Sequence, residues 1–238
     1  MYKRVLLKLS GEALKEKSGS QIIDVNSLDL LAKSICAMHN KGVEICVIIG
    51  AGNIWRGKLA SDIGIDPIPA DYMGMLGTVI NAVALSSNLK KRGVDTEVFS
   101  AIPHIENITK PYNVNDADEA MKKGKVTFLA GGTGKPFFTT DTAATLRAIE
   151  LNCDAILMGK NGVDGVYDSD PTTNRDAKFI HFINFDEMLK MKLQIMDLSA
   201  IELIKDKNIE IRVFSMSCPT NFEKVLDGED IGTTCKRS

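Results

Sequence analysis

VIIGAGNIWRGKL, residues 47–59, is an apolar run that breaks into three glycines, an arginine and a lysine. With Val43 to Cys46 before it, the run is continuous rather than alternating, which suits a strand buried on both faces of a parallel sheet. Glycines at the end of such a strand, followed by cationic side chains, suggest a phosphate site, because ligands of open α/β sheets collect at the carboxyl ends of the strands. The stretch nearly matches two phosphate-binding loops and satisfies neither. Gly50-Ala51-Gly52 opens a G-x-G-x-x-G pattern, but Trp55 stands at the third glycine and would block close helix–strand packing. Gly52 to Lys58 spells G-x-x-x-x-G-K, but Leu59 replaces the hydroxyl that would reach magnesium. Pro67 and Pro69 also prevent a long helix from starting at Lys58.

Working outward, strand-like runs at 4–9, 43–49, 94–99, 125–130 and 153–158 alternate with helix patterns near 25–41, 71–92, 115–123 and 140–151. The 71–92 helix places Tyr72, Met75, Leu76, Val79 and Val83 on one face. Beyond 160 the expected elements are a turn or hairpin in GVDGVYDSDP (162–171), a strand at 179–183, helices near 185–191 and 195–207, a strand at 209–216, a short helix near 220–227 and a last strand near 232–235. The fold class is α/β, a three-layer αβα sandwich on a mainly parallel, doubly wound sheet. No long linker or repeat interrupts the chain, so 1–238 is expected to form one domain whose two halves face each other.

The 238 residues suffice for a full core. Apolar residues make up 44% and charged residues 25%, and the net charge of −2 comes from 29 basic and 31 acidic residues that are well mixed. Without a basic stripe, nucleic acid is not expected as the main partner. Tyr2-Lys3-Arg4 leads directly into the first strand, and no apolar run approaches the ~20 residues of a membrane span, so neither a leader nor a membrane partner is expected. Five cysteines, at 36, 46, 153, 218 and 235, contain no C-x-x-C pair and suit reduced thiols in a cytoplasmic protein. No histidine or cysteine cluster has metal-ligand spacing, and G-x-S-x-G is absent.

Four loops follow strand ends. Lys8-Leu9-Ser10-Gly11 puts a lysine where it can lie on a transferring phosphoryl group; a plain turn is the alternative. In the 50–56 loop, Gly50, Ala51 and Gly52 offer backbone N–H groups and Arg56 a planar fork for phosphate oxygens. In GGTGKPFFTTD (131–141), Thr140 reads as the N-cap of a helix whose first-turn N–H groups form an anion site. Phe137 and Phe138 line a base pocket or enter the core, and Asp141 either favours the helix dipole or orients Lys8. In GKNGVDGVYDSDP (159–171), Tyr167 can stack on a purine; Asp164, Asp168 and Asp170 lack the glycine of a calcium loop. The division of labour among Lys8, Arg56 and Lys160 stays open.

In this order the loops resemble the amino-acid-kinase superfamily, and more narrowly its bacterial uridylate (UMP) kinase family. The resemblance runs through KRVLLKLSGEAL (3–14), IGAGNIWRG (49–57), ADYMGMLGTVINAVAL (70–85), GGTGKPFFTTDTAATLRAIE (131–150), NGVDGVYDSDP (161–171), MDLSAIEL (196–203) and IRVFSM (211–216). PFFTTD after T-G, with DYMGMLGT upstream, is its most specific part. It implies transfer of the ATP γ-phosphoryl to UMP, with Mg²⁺ carried on the ATP phosphates rather than by protein ligands. It implies that residues 1–158 form the phosphoryl-acceptor half and 159–238 the ATP-side half. Lys8, Arg56 and Asp141 carry the catalytic roles. ATP meets Lys8, Leu9, Ser10, Gly11, Gly52, Arg56, Asn161, Tyr167 and Asp170. UMP meets Ala51, Asp71 and the run Thr133, Gly134, Lys135, Pro136, Phe137, Phe138, Thr139 and Thr140. A homohexamer, allosteric control and a place in pyrimidine nucleotide synthesis are implied as well. Two departures stand out: Ala51 replaces the middle glycine of a common G-G-G-N, and KEKSGSQIID (15–24) differs from the usual form, so GTP activation is not carried over.

Overall fold

The computed structural model describes residues 2–16, 21–160, 162–193, 195–216, 218 and 220–237. Among them, strands β1 (Arg4–Leu9), β2 (Glu44–Ile49), β3 (Thr96–Ser100), β4 (Lys110–Pro111), β5 (Val126–Ala130) and β6 (Ala155–Lys160) alternate with helices α1 (Val25–Asn40), α2 (Gly57–Asp62), α3 (Pro67–Lys91), α4 (Val114–Lys122) and α5 (Thr140–Glu150). A small hairpin, β7 (Val166–Tyr167) and β8 (Phe179–Ile180), follows. The chain then continues through β9 (Phe182–Asn184), α6 (Phe185–Met191), α7 (Leu198–Ile204), β10 (Glu210–Ser215), α8 (Asn221–Leu226) and β11 (Thr233–Lys236).

Nine of these strands form one sheet in the order β4-β3-β5-β2-β1-β6-β10-β11-β9. Pairing is parallel except where β11 meets β10. Because successive strand side chains point to opposite faces, the strands feed two cores. Val5, Leu7 and Leu9 of β1, with Ile45, Val47 and Ile49 of β2, pack under α1, α3 and α8. Leu6, Cys46, Ile48, Ile156 and Met158 pack under α4, α5, α6 and α7. These are the three layers expected, with the sheet buried on both sides.

Several details differ from the sequence reading. The 71–92 helix begins earlier, at Pro67, because prolines in a first turn lack only N–H groups that have no intrahelical partner. Its buried side carries Met75, Val79, Ala82, Leu85 and Leu89, whereas Tyr72 and Leu76 are 40% and 54% exposed. The helix is apolar on nearly all sides, so periodicity alone does not identify its inner face. Contrary to the reading that no apolar run nears membrane length, this 25-residue helix is long and apolar enough by length and composition; it packs against β2, β3 and β5 and buries Thr78, Asn81 and Ser86. The single strand expected at 179–183 splits at His181: β8 pairs with β7 and β9 pairs with β11. The short helix α2, which no apolar period announced, fills the space before Pro67.

Candidate active site

The ends of β1 and β2 lie side by side, with Lys8 in register with Ile48 and Leu9 with Ile49. The loops beyond them interlock backbone to backbone. Gly50 N–H donates to the Leu9 carbonyl at 2.9 Å. A Cβ on Gly11 would stand 2.3 Å from Asn53 Oδ1 and 2.4 Å from the Gly50 carbonyl, so only glycine fits there. The 50–53 loop is anchored to α3 by two amides facing each other: Asn53 Nδ2 donates to Asn81 Oδ1 at 3.0 Å, and Asn81 Nδ2 donates to Asn53 Oδ1 at 2.8 Å and to the Gly50 carbonyl at 2.8 Å. Ala51 is accommodated because its methyl group faces Gly77 of α3, where a second Cβ would approach it to 2.8 Å. Sequence reading did not single out Asn53 or Asn81; an amide at a core-facing helix position was the available signal.

Opposite these loops stands the N-terminus of α5. The N-cap is Thr139, not Thr140: Thr139 Oγ1 accepts from the N–H groups of Asp141 and Thr142, and Thr140 is the first helical residue. Asp141 Oδ1 lies 2.5 Å from Lys8 Nζ, and both side chains are largely buried. A further residue, Asp197, ties this helix to α7. Its carboxylate accepts from the Thr139, Thr142 and Ser199 hydroxyls and from the Ala200 N–H. Burial pushes the Asp197 carboxyl up, but the bonds from Ser199, Thr139, Ala200 and Thr142 outweigh it and hold it below the ordinary aspartate range. An Asp just before Leu198-Ser199-Ala200 is an N-cap signal, but the sequence does not show that it also secures a second helix.

Two sets of hollows flank Lys8 and Asp141. A cavity of about 270 Å³ is lined by Ala51, Gly52, Trp55, Asp71, Lys135, Phe138, Thr139 and Thr140, among others. Its rim loop is shaped by Gly131, Gly132 and Gly134 at positive φ; a Cβ on Gly134 would come within 2.5 Å of the Ala101 carbonyl. Thr133 Oγ1 bridges to Lys135, and Pro136 is half-buried between them and the phenylalanines. Asp71 accepts from the Phe137 N–H at 2.7 Å, holding Phe137 at φ 70°. Neither phenylalanine enters the core: Phe138 borders the cavity, while Phe137 is 72% exposed and lies off it. The Trp55 indole N–H is buried without a partner among the described residues.

On the other side, cavities of about 510 and 530 Å³ share Lys160, Lys192, Leu193 and Ile195. The first also includes Tyr167 and Asp170, and the second reaches Asp141 and Asp197. Tyr167 meets the Phe179 ring edge-on and donates to Asp164. The Asp170 carboxylate is taken up by the Thr172 N–H and hydroxyl, as a turn. Asn161 lies outside the described residues. Of the β1 loop, Lys8 faces the site, Ser10 caps the short helical turn Gly11–Leu14, and Leu9 is buried in the core, so it can offer a ligand only main chain. Arg56 reaches back across the loop: its guanidinium pairs with Glu12 at 2.7 Å and leaves its side chain 68% exposed. The arrangement places Lys8, a helix N-terminus and glycine-rich backbone around one point between the smaller cavity and the larger pair, which suits a migrating phosphoryl group.

The amino acid kinase family model matches residues 3–215. A uridylate kinase from Mycoplasma capricolum subsp. capricolum is 49% identical over 229 residues, 96% of this chain and 95% of the relative. The crystal structure of UMP kinase from Bacillus anthracis superposes with a TM-score of 0.95 at 38% identity, covering 99% of this chain and 96% of that one. UMP kinase from Ureaplasma parvum gives 0.93 at 38% identity over the whole of both chains. The chain therefore belongs to the amino acid kinase family, on its uridylate kinase branch.

Proposed function

We propose that this kinase transfers the γ-phosphoryl group of ATP to UMP, giving UDP and ADP. One observation carries the reading: Thr140 borders the smaller cavity, its neighbour Asp141 borders one of the larger ones, and Lys8 is bound to Asp141 where they meet. The smaller cavity, with Asp71 for ribose hydroxyls and the 131–140 loop for base and phosphate, takes UMP. The larger pair, with Tyr167 and Asp170, takes ATP.

Phosphoryl transfer asks mainly for in-line positioning and charge neutralisation. Lys8 supplies charge at the transferring group, Asp141 fixes the ammonium, and the first turn of α5 presents its positive end to the same place. Arg56, released from Glu12, closes over the phosphates with its planar fork. The site carboxylates are already engaged, Asp141 by Lys8 and Asp197 by hydroxyls, which fits Mg²⁺ arriving on the ATP phosphates rather than held in a protein cage. When bound there it neutralises phosphate charge.

The reading extends to the assembly and setting. One continuous sheet runs through both stretches, which supports reading 1–158 as the acceptor half and 159–238 as the ATP half of a single domain. Ile68, Tyr72, Leu76 and Ile80, spaced by four along the outer side of α3, form an exposed apolar row that supports self-association into a homohexamer. The free thiols of Cys46 and Cys153, hydrogen-bonded at 3.9 Å, suit the reducing cytoplasm, and UDP supply to pyrimidine nucleotide synthesis is the corresponding role. The test is a coupled assay of UDP formed from ATP-Mg with UMP, CMP and small carboxylic acids as parallel acceptors. Turnover on UMP is expected to dominate; turnover on another acceptor, or ATP binding without UDP, would overturn the reading.

A further inference from the structure

We infer that Lys160 is a second phosphate-binding cation of this site, whose ammonium leaves the Ile195 carbonyl to take up the polyphosphate of the donor nucleotide, beside Lys8. The inference rests on the ATP reading above and extends it to a residue whose role the sequence left open.

Strand register places the two lysines together. Lys8 is paired with Met158, and Lys160 lies two residues further along β6. Register partners in adjacent parallel strands share a face, and so do residues two apart. Lys160 therefore continues the line of Ile156 and Met158 onto the α5–α7 side of the sheet, where Lys8 continues the line of Leu6. It is also one of the residues common to both larger cavities, between Tyr167 and Asp170 on one side and Asp141 and Asp197 on the other.

The local chemistry is short of an anion. Lys160 is half-buried, and its Nζ makes one hydrogen bond among the described residues, to the Ile195 carbonyl at 2.9 Å. An ammonium has three donors, so two remain for a ligand. The nearby carboxylates do not supply the acceptor, since Asp141 is paired with Lys8 and Asp197 with hydroxyls. Burial and then repulsion from Lys8 lower the Lys160 pKa, against an opposing pull from Asp141. A half-buried cation held next to another is costly, and an arriving polyphosphate relieves that cost.

The test compares intact wild-type protein with Lys160→Met by calorimetry, using Mg-ATP, Mg-ADP and AMP as separate ligands. Loss of one charge-assisted contact is expected to weaken ATP about 10- to 100-fold, and AMP by less than about 3-fold. Lys160→Arg is expected to restore most of the ATP affinity. Equal losses for ATP and AMP would make Lys160 a prop for the Ile195 main chain, and an unchanged ATP affinity would remove it from the site; either result overturns the inference. If Lys160→Met does not fold, Lys160→Gln is judged by the same criteria. Wild-type protein that binds ATP but makes no UDP would sink the acceptor assignment alone, whereas wild-type protein that binds no ATP would sink both.

Discussion

Lys8 at the end of β1 and Asp141 in the first turn of α5 form an ion pair of 2.5 Å, with side chains only 14% and 18% exposed. Asp141 aims the ammonium across the helix N-terminus, and solvent does little to weaken the pair. Lys8→Ala is expected to lower turnover at least ~10²-fold, since one electrostatic stabiliser of a transition state is typically worth ~3 kcal/mol. The single variant also leaves Asp141 without its partner. Removing both side chains should therefore recover folding stability relative to Lys8→Ala, as read by urea melts, without recovering turnover. Near-wild-type UDP formation by Lys8→Ala would exclude its catalytic role.

The two β-strand loops predict opposite outcomes for neighbouring glycines. A methyl group at Gly11 meets Asn53 Oδ1, the Gly50 carbonyl and the Gly52 nitrogen at 2.3, 2.4 and 2.9 Å, two of them backbone atoms that cannot turn aside. Gly11→Ala should cost about 1–3 kcal/mol of stability, as overpacking does, and depress activity by displacing the loop. At Gly50 the nearest atoms lie at 3.6–3.7 Å, ordinary contacts, so Gly50→Ala should fold and turn over nearly as wild type. Equal tolerance at both positions would refute the interlocked geometry.

Asp197 joins the caps of α5 and α7. Asp197→Asn keeps one acceptor but turns an amide N–H₂ toward hydroxyl and backbone donors. Stability is expected to fall by about 1–3 kcal/mol, the penalty for stranded polar groups, and turnover should fall with it as Thr139 and the start of α5 loosen. Amide hydrogen exchange localises the effect: faster exchange at Asp141 and Thr142, with β2 unchanged, is the expected pattern, and unaltered protection in α5 would contradict the coupling.

A pH dependence follows from Tyr2, whose hydroxyl donates to Glu210 at 2.6 Å. Burial first, and then this bond, raise its pKa to about 12 from the ordinary value of 10.0. The fold thus favours the protonated phenol. Its stabilisation is fully present below pH 10 and is lost as pH rises from 10 through about 12, because the unfolded chain releases that proton more readily. Tyr2→Phe should be less stable than wild type at neutral pH, and the gap should narrow above pH 10. A gap that stays constant to pH 12 would rule out this linkage.

The sequence by itself determined the layers and the strand ends at which the glycine-rich loops gather. Continuous apolar strands such as 4–9 and 43–49 have one stable home, a sheet covered on both faces, and the glycines that follow them mark where the backbone must approach a ligand. These are short-range properties, set by side-chain period and allowed φ, so they survive without knowledge of the partners. Tertiary structure decided which side of α3 is buried, since that helix is apolar on both. It also decided that Phe137 lies outside the core, that Thr139 rather than Thr140 caps α5, that Asn81 anchors the 50–53 loop, and that Asp197 ties α5 to α7. Each of these depends on contacts between elements distant in the chain, and no local propensity encodes which distant group a buried polar side chain will meet.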